Sequence, residues 1–341
     1  MQSEDAVPRT WQAWTWTGDA DPLKLALRTV DASPLARGEV LVRNVAIGLN
    51  PVDWKVLGGE LVDWRPGKVP GVDGAGEVVA VGADLSREWL GTRVAYHTSL
   101  GKPGSFAEYT PVDARALLAV PPVVDFGTAA SVPCPALTAW MALDKLPTRS
   151  GSRMLISGAG GAVGLYATQL AVMQGFDVSV MCHPRHWDRL RELGASACHE
   201  GPLDAHATWA RTHSGEFFAI ADTVGAQHAE RLSPALAANG HLVCIQGRVE
   251  HWPCAPFDRT PSLHEVALGA LHRYGSDADW RRLVEAGERI LGLIADRRFS
   301  AEATIVGDFA DLPRQLDALR QRSVSGKSIV RLDSFGAVAR H

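Results

Sequence analysis

Nowhere in its 341 residues does the chain hold an apolar run near the roughly 20 residues that span a bilayer, so no membrane segment is expected. The opening stretch, MQSEDAVPRTWQAW, is polar and lacks the basic-then-apolar layout of a signal peptide, so no leader is expected either. Cysteine is scarce. Cys134, Cys182, Cys198, Cys244 and Cys254 are scattered, odd in number and free of CxxC spacing. That excludes a disulfide or zinc framework and reads as reduced thiols in a cytoplasmic protein. Long basic runs are missing too: the net charge of −4 is spread over 34 basic and 38 acidic residues, which argues against a nucleic-acid partner. No internal repeat and no low-complexity tract interrupts the chain.

What remains is a chain long enough for two domains, with 46% hydrophobic residues to fill their cores. The first third is turn-rich and strand-like: Glu39–Val45, Gly76–Val81, Arg93–Tyr96 and Phe106–Thr110 are short β-type runs split by Gly, Pro and Asp. They predict a β domain shaped as a partly open barrel. Asp125–Leu146 carries small and apolar residues suited to two helices, broken by Pro133 and Pro135. From Gly151 to about Gly247 strands and helices alternate, which predicts a doubly wound parallel sheet. His264–Ala270 is a candidate edge strand, and Ala278–Arg297 an amphipathic helix with Trp280, Leu283, Val284, Ile290, Leu291 and Ile294 on its apolar face. A strand (Ala303–Val306), a helix (Leu312–Gln321) and a strand (Ser328–Leu332) close the chain.

The most telling stretch is ISGAGGAVG, Ile156–Gly164, between the apolar run Met154-Leu155-Ile156 and a helical pattern. Strand, glycine turn and helix in that order form a dinucleotide-phosphate cradle. Gly158 makes the turn, Gly160 or Gly161 leaves room for a pyrophosphate, and Gly164 lets the helix approach the strand. An NAD site places an acid at the end of the second strand; here that strand ends Met181-Cys182-His183. Asp177 lies at its other end and Asp188 in the next helix, while His183, Arg185, His186 and Arg189 follow the strand. A guanidinium there can pair with a 2′-phosphate, so NADP(H) is the expected cofactor. The candidate cofactor contacts are Thr138, Ser157, Gly158, Gly160, Gly161, Ala162, Val163, Gly164, His183, Arg185, Arg189, Val224, Gln246, Gly247 and Lys327.

Six segments in order carry a family resemblance: Gly48–Lys55 (GLNPVDWK), Val69–Gly82 (VPGVDGAGEVVAVG), Gly104–Tyr109 (GSFAEY), Pro133–Leu143 (PCPALTAWMAL), the glycine turn, and Ser325-Gly326-Lys327. Together they resemble the medium-chain dehydrogenase/reductase superfamily, in its zinc-independent quinone oxidoreductase-like branch. The resemblance implies an α/β fold of two domains. A GroES-like, partly open β-barrel catalytic domain covers 1–128 and a Rossmann doubly wound parallel sheet covers 129–275, with 276–341 returning to the catalytic domain. The zinc members' first ligand position reads Asn50 here, and their histidine segment reads Gly71-Val72-Asp73-Gly74. Neither Asn nor a lone Asp is a convincing zinc ligand, and no metal is expected.

The resemblance also places Asn50, Asp53 and Lys55 by the nicotinamide as candidate catalytic residues. Lys55 would hold the ribose or stabilise an oxyanion, and Asp53 would orient its neighbours. Where relatives carry a tyrosine as proton source, this chain has Trp54, a candidate substrate-pocket residue, so Tyr96 or His97 stands in as proton source. The expected activity is metal-free hydride transfer from NADPH to a small-molecule quinone or α,β-unsaturated carbonyl compound, in a homodimer away from membranes. A zinc alcohol dehydrogenase and a non-enzymatic NADPH-binding protein stay open as alternatives.

Overall fold

Alternating apolar residues and frequent glycine and proline turn the first third of the chain into β structure. A computed structural model describes residues 7–59 and 61–332; residues 1–6, where the leader was sought, lie outside the described residues, as do 60 and 333–341. The chain divides into two units, Met1–Cys134 with Gly269–His341, and Pro135–Leu268, against sequence boundaries read at 128 and 275.

The first unit opens with a hairpin of β1 (Thr10–Thr15) and β2 (Ala26–Asp31). β3 (Glu39–Gly48), α1 (Pro51–Lys55), β4 (Asp73–Val81), β5 (Arg93–His97), β6 (Tyr109–Asp113), β7 (Leu117–Ala119) and α2 (Phe126–Ala130) follow. β3 pairs antiparallel with β4 and also with β6, and its register against β4 slips between Asn44 and Ala46. Asn44 repairs that slip with its side chain, Nδ2 donating to Ala107 O at 2.8 Å and to Thr110 Oγ1 at 2.8 Å. The expected strand over Phe106–Thr110 begins only at Tyr109. Phe106 instead crosses to β1 and to the 69–71 turn, donating to Pro70 O and accepting from Trp14 N.

The second unit alternates as expected. α3 (Pro133–Asp144) leads into β8 (Arg153–Ser157), α4 (Ala162–Met173), β9 (Asp177–Cys182), α5 (Trp187–Glu192), β10 (Ala197–Glu200), α6 (Trp209–Thr212), β11 (Phe217–Asp222), α7 (Ala226–Leu232), β12 (Leu236–Cys244) and β13 (Ser262–Glu265). Pro133 starts α3 rather than breaking it, because the first helical position needs no N–H donor. The six strands are parallel in the order β10-β9-β8-β11-β12-β13. Chain order reverses between β8 and β11, which makes the carboxyl ends of those two strands the switch point where such sheets bind ligands. The candidate edge strand over His264–Ala270 is shorter than expected: its ladder ends opposite Cys244, and a helix begins at Leu268.

That helix, α8 (Leu268–Tyr274), leads back into the first unit. α9 (Asp277–Ala295), β14 (Thr304–Asp308), α10 (Leu312–Arg320) and β15 (Lys327–Arg331) complete it. α9 starts with a capping box of Ser276 and Asp279 and buries Trp280, Leu283, Ile290, Leu291 and Leu293. β15 pairs antiparallel with β3, so the sheet runs β14-β15-β3-β4-β5-β7 with β6 beside β3. Its core joins Ile47, Leu49 and Phe106 to Phe309, Leu312, Leu316 and Val330 from the far end of the chain. The last β-strand is thereby delivered beside residues 46–48.

Candidate active site

The second unit carries a nucleotide cradle at its switch point. Gly158 ends β8 in the left-handed region (φ +69°), where a side chain would also strike Thr223. Gly158 N donates to Met181 O at 2.8 Å, tying the turn to the end of β9. α4 then starts at Gly161 with no side-chain cap, so the N–H groups of Ala162, Val163 and Gly164 face outward from a twelve-residue helix. Gly164 is packed so tightly that a Cβ would overlap Ala159 Cα. A pyrophosphate fits this donor set by charge and by shape.

The other cofactor candidates of this unit gather at the same sheet edge, except Thr138, which is buried within α3. His183 and Arg185 follow β9 and are exposed, and Arg189 is half-buried one turn on. No carboxylate closes β9: Asp177, at its amino end, accepts from Ser196, and Asp188 pairs with Arg191 at 2.9 Å. Val224 follows β11, and Gln246 and Gly247 follow β12. His186 lies where a Cβ on Gly160 would be, and Arg185 Nε donates to its Nε2 at 3.0 Å.

Ser157 has a different engagement. Its hydroxyl donates to Asp222 Oδ1, and all three of Ser157, Asp222 and His228 are buried. Leu203 N donates to His228 Nε2 at 2.9 Å, so the proton sits on Nδ1, which donates to Asp222 Oδ1 at 2.7 Å. Asp222 Oδ2 takes the N–H groups of Val224 and Gly225. The trio resembles a nucleophile triad in composition only. Every member is committed to holding the ends of β8 and β11 in place.

In the first unit, Asn50, Asp53, Asp73 and Lys327 form one buried cluster, exposed by only 2%, 0%, 0% and 5%. Asn50 caps α1, its N–H donating to Asp53 Oδ2 at 2.7 Å. Its side chain bridges two charges: Nδ2 donates to Asp73 Oδ2 at 2.8 Å, and Oδ1 accepts from Lys327 Nζ at 2.5 Å. Lys327 Nζ is also 3.7 Å from Asp73 Oδ2, and Cys134 N donates to both Asp73 oxygens. Burial pushes the Asp53 carboxyl up to about 8 and Asp73 up to about 6; the Lys327 ammonium and the hydrogen bond from Asn50 restrain Asp73. Lys327, taken from sequence as a cofactor contact, thus directs its ammonium at Asn50 and Asp73. Among the described residues no group of three or more His, Cys, Asp and Glu is placed to hold a metal ion.

Lys55 and Trp54 lie half-buried beside the cluster, with Lys55 Nζ 5.7 Å from the Trp54 ring centre. Trp54 Nε1 is buried with no hydrogen-bond partner among the described residues. Tyr96 requires correction as a proton source. It is fully buried over Gly74, its hydroxyl donates to Asn44 Oδ1 at 2.8 Å, and burial pushes it well above the usual phenol range. Aromatic bulk beside a small-residue strand packs the β3–β5 core. Sequence reasoning missed Asp222 and His228, which acquire partners only through the fold, set His272 aside as a loose histidine, and weighed Asp73 only as a ligand.

Residues 36–122 match the alcohol dehydrogenase GroES-like domain family. A chloroplastic quinone-oxidoreductase homolog of Spinacia oleracea is 38% identical over 166 residues, covering 46% of this chain and 50% of that relative. A 2-methylene-furan-3-one reductase of Solanum lycopersicum is 30% identical over 256 residues, 72% of this chain and 64% of the relative. A solved alcohol dehydrogenase superfamily protein from Novosphingobium aromaticivorans superposes with a TM-score of 0.81 at 26% identity, over 95% of this chain and 100% of that one. The chain belongs to the medium-chain dehydrogenase/reductase superfamily. Within it, the chain falls in the zinc-independent quinone oxidoreductase-like branch, with a GroES-like domain and a Rossmann-type NADP(H) site.

This member of the superfamily spans about half the length of the first curated relatives it matches. Three relatives, from Spinacia oleracea, Triphysaria versicolor and Arabidopsis thaliana, are named as chloroplast proteins, and the expectation of a cytoplasmic location is overturned. No described helix is long and apolar enough to cross a membrane.

Proposed function

We propose that the protein is an NADPH-dependent oxidoreductase that reduces quinones or α,β-unsaturated carbonyl compounds. The observation that carries this reading is the glycine cradle at the switch point, followed by Arg185 and Arg189 where an NAD site would present a carboxylate. The cradle and the amino end of α4 hold the pyrophosphate; Arg185, with His183 and Arg189, holds the 2′-phosphate. NADPH, when bound, supplies a hydride.

The buried cluster of the first unit does the rest. Lys327 lies buried in that cluster, its ammonium fixed by Asn50 and countered by Asp73. A fixed ammonium stabilises the negative charge that grows on a carbonyl or quinone oxygen. Asn50 and Asp73 already satisfy that ammonium, which favours activated acceptors over plain alcohols. Trp54 supplies a flat apolar wall with one free N–H. The names of the spinach and tomato relatives, one a quinone oxidoreductase homolog and one a reductase of an exocyclic enone, support the same substrate class.

The test is NADPH oxidation by the purified protein against a panel of quinones, enones and enals. The expected result is turnover with NADPH faster than with NADH. Tight NADPH binding without oxidation by any acceptor would instead favour a binding protein, and one zinc per chain by elemental analysis would favour an alcohol dehydrogenase. We also propose a homodimer joined along β13, whose four residues pair with β12 on one side only. Light scattering at twice the 36.6 kDa chain mass is the expected outcome.

A further inference from the structure

We propose that His97 and His272 form a two-imidazole relay that carries a proton from solvent to the anion left by hydride transfer. The proposal rests on the reductase reading above and names the proton route for it. His97 ends β5 and is the direct cross-strand partner of Asp73 on β4, so both side chains leave the same face of the sheet. That face carries the Asn50–Asp73–Lys327 cluster. His97 is 5% exposed, and its Nδ1 lies 3.0 Å from Nε2 of His272 on α8, with the rings stacked at 5.2 Å. His272 is partly exposed and packs on its other side against Trp280 of α9, at 4.8 Å. One ring therefore reaches water while the other faces buried charge.

Burial, more than the surrounding charges, keeps this pair neutral. Burial and the neighbouring His272 and Lys327 hold His97 well below the usual imidazole range. Burial, with Lys102 and Arg115 nearby, brings His272 down to about 4 against the opposing pull of Asp113. At neutral pH each ring carries one N–H and one lone pair, the form in which imidazoles pass protons along a chain. The step balances. Buffer acid or water forms a new N–H bond at His272 Nδ1 as the Nε2–H bond breaks toward His97 Nδ1. His97 then releases its Nε2 proton to the enolate or hydroquinone anion, and both rings return to their starting tautomers by proton exchange.

The experiment begins with the wild-type protein and an acceptor that it turns over with NADPH. If none is turned over, the reductase reading has failed, and this proposal fails with it before any variant is made. With turnover in hand, His272→Ala is expected to lower kcat about a hundredfold, the low end of what a positioned acid contributes. NADPH binding, read by cofactor fluorescence, stays unchanged, and the solvent deuterium isotope effect on kcat increases. Added imidazole restores kcat, because it refills the space at the surface end of the relay. His272→Gln, which fills the site without titrating, shows the same loss and no rescue. Should His272→Ala fail to fold, the kcat and isotope effect of His272→Gln decide alone. A His272 variant that keeps kcat within twofold, or a folded His272→Ala that loses activity without imidazole rescue, overturns the relay.

Discussion

The two units of this chain arrange their candidate site residues in opposite ways. In the Rossmann unit the proposed cofactor contacts fall in two short segments: Gly158 to Gly164 form turn and helix start, and His183 to Arg189 form the next strand's exit. In the GroES-like unit, residues 50, 53, 73, 97, 272 and 327 come from five separate elements and meet only because β15 returns to pair with β3 and α8 returns beside β5. A phosphate cradle needs backbone N–H groups in a row, which a short segment can supply. A buried ion cluster needs partners on all sides, and a single segment cannot surround itself.

The largest effect expected from breaking this contrast is at the distant partner. Lys327→Met leaves Asp73 buried without its cation, and a broken buried pair costs about 3 kcal/mol or more. Urea unfolding should register that loss, and Asp73→Asn in the same chain should recover part of it, since the two side chains act as one unit. An additive double mutant would show that the cluster is not coupled. Next in size is a change confined to the contiguous region. Arg185→Glu should weaken NADPH at least about tenfold while NADH changes little, because only the 2′-phosphate meets the new charge. Equal losses for both cofactors in a fluorescence titration would refute the assignment.

That contrast also explains what could be read from the sequence. The parallel sheet, the cradle and the missing acid at Cys182-His183 are local patterns, and their periodicity carries them. Element edges were less legible. β6 starts three residues later than its β-type run because Phe106–Glu108 is drawn across to β1, a tertiary demand that no propensity encodes. Lys327 reads from sequence as a cofactor contact, and its pairing with Asn50 and Asp73 shows only once β15 is placed against residues 46–48. His272 reads from sequence only as a loose histidine, because its partner lies 175 residues away.

A pH effect tests the electrostatics of the cluster. Asp53 titrates near 8 in the folded protein against an ordinary value of 3.8. Between those values the unfolded chain has released a proton that the folded chain still holds, so stability falls as pH rises from about 4 to about 8 and levels off above. Asp73, held near 6, adds the same sign below pH 6 only. The steepest slope one group can give is about 1.4 kcal/mol per pH unit. Asp53→Asn should flatten the fall between pH 6 and 8 in urea titrations. An unchanged slope there would mean that Asp53 is ionised in the fold.

The smallest effect separates a working residue from a packing one. Tyr96 sits one position before His97 on the same strand, so its side chain leaves the opposite face of the sheet. It packs on Gly74, and its hydroxyl serves Asn44 at the β3 slip. Tyr96→Phe should therefore cost about 1 kcal/mol, the low end for a buried acceptor (Asn44 Oδ1) that loses its donor, because the ring remains and Asn44 Nδ2 keeps its bonds to Ala107 and Thr110. The kcat for NADPH oxidation should not change. A loss of turnover with unchanged melting temperature would return Tyr96 to the reaction and take the proton route away from His97. Tyr96 and His272, the surface partner of its strand neighbour His97, are thus expected to give opposite answers in one assay, as alternation across the sheet requires.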